Sequence, residues 1–220
     1  MPRDKDVSAT PKGVRFARRE SVRHGRCRWL FSGQWLAVTT VGFVLGSPAF
    51  GLLLLSASYW PLVWAVEGLC VGGAQMLLLR RRVRGALWWV VATAVGRAAA
   101  SLAASVLLAS PFEPMHGDAR NLAGPALIGF AGCLLQWPIL GVARKWTWCW
   151  VLAGPLAWLA GFVGWQAAYS LSMAISIGPA FDGWAILAMW GAGLGVMIGA
   201  VQGMVLAFVV FREAGPEEPS

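Results

Sequence analysis

Two ionisable residues stand inside long apolar stretches, and they are the first candidates for chemistry within a membrane. Glu67 lies in WPLVWAVEGLCVGGAQMLLL, and Arg97 lies in ALWWVVATAVGRAAASLAAS. Counted from the arginine-rich turn at 80–84, each sits about 20 Å deep at 1.5 Å per helical residue. Opposite charges at one depth on consecutive helices are expected to pair, because an unpaired charge at mid-membrane costs several kcal/mol. The pair has two readings: a proton or ligand site, or a structural ion pair that fixes one helix interface. That only one such pair exists favours the structural reading.

The remaining reactive residues form no constellation. His116, in a polar loop beside Asp118, is the single histidine outside the basic N-terminal segment that holds His24. It reads as a solvated loop residue. No apolar run contains a histidine, which disfavours a transmembrane b-type haem, a His-box di-iron centre or His-ligated chlorophyll within the chain. Ser170, Ser172 and Ser176 have no histidine or lysine partner, so a serine nucleophile is unsupported. Cys27, Cys70, Cys133 and Cys149 are scattered singly with no CxxC, which argues against a disulfide framework or a zinc site. GLGVMIG at 193–199 is a glycine face rather than a strand-to-helix phosphate turn. No metal site is expected, and the chain reads as non-enzymatic.

The elements that must position these residues are transmembrane helices. Of the 220 residues 58% are hydrophobic and 13% charged, with 27 glycines and 14 tryptophans. The charged share is about half that of soluble domains. Six apolar runs are long enough to span a bilayer: about 29–47 (continuing past Pro48), 60–79, 87–109, 122–143, 148–175 and 184–211. The fifth is long enough to require a tilt or a break, with Pro155 as a natural kink. The short alternating segments of a β-barrel are missing. The fold class is therefore all-α integral membrane. Residues 1–28 form a basic tail, partly disordered, whose Val14–Arg28 section suits a membrane-surface helix. Residues 29–211 form the six-helix domain, and 212–220 an acidic tail.

The net charge of +8 is distributed as the positive-inside rule requires, not as a nucleic-acid footprint. With the N-terminus in the cytoplasm, the segments 1–28, 80–84, 144–145 and 212–220 hold 16 of the 18 Lys/Arg. Both termini are thus expected inside, in a bacterial cytoplasmic membrane, with the lipid bilayer as the first partner and no nucleic acid.

The helices share a repeated grammar. Trp35-x3-Thr39-x2-Gly42 matches Trp89-x3-Thr93-x2-Gly96, and Trp150-x3-Gly154-x2-Ala157 is a degraded copy. On the even helices Gly68, Gly72 and Gln75 match Gly195, Gly199 and Gln202, with Gly129, Gly132 and Gln136 as the third copy. Such spacings put both glycines and the glutamine on one helix face. Glycines permit close backbone approach where lipid removes the hydrophobic drive, and a buried amide must find a partner. Gln75–Trp89 and Gln136–Trp150 are each separated by 14 residues across a basic turn. An indole N–H donating to each glutamine carbonyl is the expected contact. If the three helix pairs close into a pseudo-threefold bundle, Trp35 should approach Gln202. Glu67 and Arg97 depart from the repeat: the aligned positions are Ile128 and Leu194, and Phe43 and Trp158.

This combination of Gly-x-x-Gln, an arginine-rich turn and tryptophan-initiated helices resembles a loose group of uncharacterised, tryptophan-rich, multi-pass bacterial membrane proteins. The resemblance spans most of 29–211, departs from the pattern at Ala157, and implies architecture only. Function has to be read from the residues. Few polar groups and many packing devices point to an accessory or scaffold subunit of a larger membrane complex, photosynthetic or respiratory, with partner membrane subunits. The glycine ridge Gly191, Gly195, Gly199 and Gly203 is expected to pack on a neighbouring helix or on a flat apolar ring such as a carotenoid, a quinone or another pigment. The alternative is a small transporter or binder of a hydrophobic molecule using Glu67 and Arg97, with helices interrupted near Pro125 or Pro155.

Overall fold

The structure, a computed structural model, describes residues 12–53, 60–83, 85–108, 119–141, 147–175 and 183–212. Six helices account for nearly all of them: α1 (Lys12–Leu53), α2 (Trp60–Leu79), α3 (Ala86–Leu108), α4 (Ala119–Leu140), α5 (Trp148–Ile175) and α6 (Gly183–Arg212). Each contains a stretch long and apolar enough to cross a membrane, from 19 residues in α2, α3 and α4 to 28 in α5. No strand occurs among the described residues. The loop with Glu113, His116 and Asp118, the Arg144-Lys145 turn, the 178–182 loop and the acidic tail beyond Arg212 lie outside them.

The basic segment Val14–Arg28 is helical and forms the first part of α1, a continuous helix of 42 residues. The apolar span begins at Cys27 and runs to Pro48. Pro48 does not end the helix, although its ring nitrogen cannot donate to the carbonyl of Val44. The Ser47 hydroxyl donates to that carbonyl instead, at 3.1 Å. Helices α4 and α5 likewise run unbroken through Pro125 and Pro155.

Each helix packs on its neighbours in sequence, and α1 packs on α6, so the six helices close into a ring. The α1–α6 seam is made by the glycine ridge of α6. A Cβ added at Gly195 would lie 2.7 Å from the Thr40 Cα, and one at Gly199 would lie 2.9 Å from the Leu36 Cα. The backbones touch along this line, and the ridge carries α1 rather than a flat ring ligand. At its end the Ser32 hydroxyl donates to the Gly203 carbonyl at 3.1 Å.

The odd-numbered helices direct every fourth residue at the axis of the ring, as a 3.6-residue period allows. From α1 come Trp35, Thr39, Phe43 and Ser47; from α3 come Trp89, Thr93, Arg97 and Ser101; from α5 come Trp150, Gly154 and Trp158. All of these are buried. Trp35, Trp89 and Trp150 are entirely inaccessible and meet one another. Trp35 stands edge-on to Trp89 and Trp150, with centroids 5.9 and 6.0 Å away, and Trp89 lies 5.5 Å from Trp150. Edge-to-face rings at these separations are favourable beyond their area burial. Together they fill the ring at the end that carries the arginine turn.

Candidate functional site

The tryptophan layer is held by the even helices. The Trp89 indole N–H donates to Gln75 Oε1 at 2.9 Å, and the Trp150 indole N–H donates to Gln136 Oε1 at 3.1 Å. Each glutamine uses its amide N–H as well. Gln75 donates to Thr39 Oγ1 at 3.0 Å, and Gln136 donates to Thr93 Oγ1 at 2.7 Å. The Thr93 hydroxyl in turn donates to the Trp89 carbonyl at 2.7 Å. Each glutamine thus ties the threonine of the preceding odd helix to the tryptophan of the following one, and three helices are joined through one amide. The threonine half of this linkage was visible in the repeated spacing, but its role was not.

The third copy is different. Gln202 does not accept from Trp35. Its amide donates to Cys133 Sγ at 3.7 Å, and the Trp35 indole nitrogen is buried without a partner. The cause lies on α5, where Gly154 occupies the place of Thr39 and Thr93. Without a hydroxyl there, the Gln202 amide turns to the nearest available acceptor, a thiol. A threonine does not fit at 154, because a Cβ would meet the Gly129 carbonyl and lie 2.9 Å from Cys133 Sγ. The expected approach of Trp35 and Gln202 thus carries no hydrogen bond, although their helices do pack: a Cβ on Gly203 would lie 3.2 Å from Trp35 Cδ1. This asymmetry has a measurable consequence. Trp89→Phe and Trp150→Phe each remove an intramembrane hydrogen bond and should cost about 0.6–2 kcal/mol more than Trp35→Phe, which removes none. Equal losses in thermal unfolding of the three variants would contradict the bonding pattern.

Two layers further along the axis, beyond Thr39, Thr93 and Gly154, sits the charge pair. Arg97 Nη1 donates to Glu67 Oε2 at 2.9 Å, with side chains 5% and 2% exposed. The Arg97 guanidinium also lies 4.7 Å from the Phe43 ring centroid and 5.0 Å from that of Trp158. Those two residues hold the positions that align with Arg97 in the sequence, so this layer consists of two aromatic rings and one cation where the tryptophan layer has three indoles. A cation over an aromatic face gains about 2 kcal/mol when desolvated, which offsets part of the burial cost. Trp64, 5.6 Å from Trp158 and edge-on to it, extends the aromatic wall onto α2. Room for the carboxylate stem comes from Gly46, where a Cβ would lie 2.8 Å from Glu67 Cγ. The sequence marked Glu67 and Arg97 as partners. It did not mark Phe43 and Trp158 as their enclosure, although both had appeared as the aligned positions.

Chemically, this site can hold a fixed dipole in a buried aromatic cage and lock α2 to α3. No three His, Cys, Asp or Glu side chains converge among the described residues. The chain is an all-helical protein with six helices long and apolar enough to span a bilayer. No protein family, no curated protein and no solved structure matches it, so the functional reading rests on this geometry.

Proposed function

We propose that the protein is a non-enzymatic integral membrane subunit, a rigid accessory or scaffold element of a larger membrane complex. It is read as three Gln–Trp helix pairs about a pseudo-threefold axis, with both termini in the cytoplasm of a bacterial cell. The observation that carries this reading is the filled axis. Three fully buried tryptophans form one layer, and two layers along, Arg97, Phe43 and Trp158 form another. A bundle closed in this way is suited to presenting a fixed outer surface rather than to passing a solute through its centre. That surface is rich in anchors. Trp29, Trp88, Trp148 and Trp184 are exposed, and Trp165, Tyr169 and Trp190 form a partly exposed aromatic face where α5 meets α6. Large amphipathic rings of this kind suit packing against lipid, cofactor tails or partner helices.

The transporter alternative would use the Glu67–Arg97 pair, the one place where the repeat gives way to charge. It requires the axis to open, which means breaking both aromatic layers. The deciding experiment is purification from native membranes in mild detergent, followed by mass spectrometry. Stoichiometric partner subunits or bound pigment are the expected result. A lone monomer that moves a hydrophobic molecule across proteoliposomes, and loses that activity in Glu67→Gln, would replace the subunit reading with the transporter one.

A further inference from the structure

The turn between α2 and α3 presents three exposed arginines, Arg80, Arg81 and Arg82. The turn is pinned from below: the Arg80 N–H donates to the Met76 carbonyl at 2.8 Å, and the N–H groups of Arg82 and Val83 donate to the Leu79 carbonyl at 2.8 and 2.9 Å. Leu79 itself is completely buried. The Arg82 guanidinium lies over the Phe31 ring at 5.0 Å, which brings the turn against α1. Arg80 and Arg81 make no ion pair with any described residue, and the first turn of α3, which follows, contains no acidic residue.

Beginning one residue from Phe31, the outer face of α1 carries a shallow groove of about 500 Å³ lined by Trp29, Leu30, Gly33, Gln34 and Ala37. Its floor is open, since a Cβ on Gly33 would meet nothing within 4 Å. The turn that carries these cations thus meets α1 at Phe31, next in the chain to Leu30 of the apolar groove. That pairing of cations with an apolar groove suits a phosphodiester joined to a hydrocarbon chain. We propose that this corner binds one anionic phospholipid: Arg80 and Arg81 engage its phosphate, and one acyl chain lies in the groove beneath Trp29. Charge complementarity selects the headgroup, because arginines at a membrane surface are attracted to anionic lipid and neutral headgroups offer no net charge. The planar guanidinium fork suits phosphate oxygens.

The test is native mass spectrometry and thermal unfolding of the full chain, taken from nanodiscs of phosphatidylglycerol or of phosphatidylcholine with the same acyl chains. Phosphatidylglycerol should be retained and should raise the melting temperature, while phosphatidylcholine and inorganic phosphate should do neither. The double variant Arg80→Gln/Arg81→Gln should lose roughly thirtyfold in phosphatidylglycerol affinity, about fivefold per arginine. Its melting temperature in phosphatidylcholine should match that of the unsubstituted chain, which separates lost binding from lost folding. Gly33→Leu, which fills the groove and leaves the charges in place, should also weaken retention. Equal retention of both lipids, or a double variant or Gly33→Leu that keeps its phosphatidylglycerol, would overturn the proposal. So would a full chain indifferent to phosphatidylglycerol that responds only when cut after Arg212, because the acidic tail would then be the occupant.

Discussion

Replacing either Glu67 or Arg97 alone with alanine should destabilise the bundle by about 3–5 kcal/mol, because each change strands the opposite charge in a buried site. The two single changes should not be additive. The aligned sequence positions supply the informative double variant: Glu67→Leu with Arg97→Phe installs the residue types found at Leu194 and Phe43. It would convert the cation–aromatic layer into an aromatic layer like the tryptophan one, and Gly46 still provides room beside position 67. Replacement of a buried ion pair by well-packed apolar residues is commonly neutral or stabilising by about 1–4 kcal/mol. The double variant should therefore recover most or all of the stability that the single changes lose. Thermal or steric-trap unfolding in one lipid mixture measures all three. If the double variant is as unstable as the singles, the pair supports the fold through something other than mutual charge compensation. A double variant that is stable but fails to assemble with partners would show that the pair serves function, since its structural role would have been replaced.

Gly154→Leu should strongly destabilise the packing of α5 on α4. The α4 and α5 backbones meet where Gly129 and Gly154 face each other, and a Cβ on either glycine would run into the other's carbonyl. Backbone atoms of two helices cannot yield as a flexible side chain does. The helices must separate, and Cys133, Gln136 and Trp150 lie along the seam that would open. Overpacking of a tight interior costs about 1–3 kcal/mol in general, occasionally more, and this contact belongs at the upper end because no side chain can move aside. Gly73→Leu is the matched control, since a Cβ there meets nothing within 4 Å. The expected result is a clear drop in melting temperature for the first variant and almost none for the second. A Gly154→Leu variant that melts with the unsubstituted chain would mean that α4 and α5 stand further apart than described.

These two sites show where sequence reasoning reached its boundary. Gly154 was recognisable as the place where the Trp-x3-Thr pattern fails. What followed from that failure, the turning of Gln202 to Cys133 and the orphaned Trp35 indole, depends on distances between helices that are far apart in sequence. Gln75 and Thr39 are similarly remote. An amide in hydrocarbon must be bonded, which is a local statement, but several hydroxyls and carbonyls at one depth can satisfy it. Only the crossing of α1 and α2 selects Thr39.

The sequence by itself determined what is local to each helix. Apolar run length and arginine placement dictated six spanning helices, because crossing hydrocarbon requires about twenty apolar residues with their backbone bonds closed internally. Periodicity placed the tryptophans, glutamines and glycines on definite faces, and depth counting marked Glu67 and Arg97 as partners. The tertiary structure decided which faces meet. It closed the ring by seating α1 on the glycine ridge of α6, gathered three tryptophans at the axis, and enclosed the charge pair between Phe43 and Trp158. The physical reason is that van der Waals packing and hydrogen bonding between helices act over a few ångströms. Their outcome is set by how six backbones fit together at once, and no spacing within one helix records that fit.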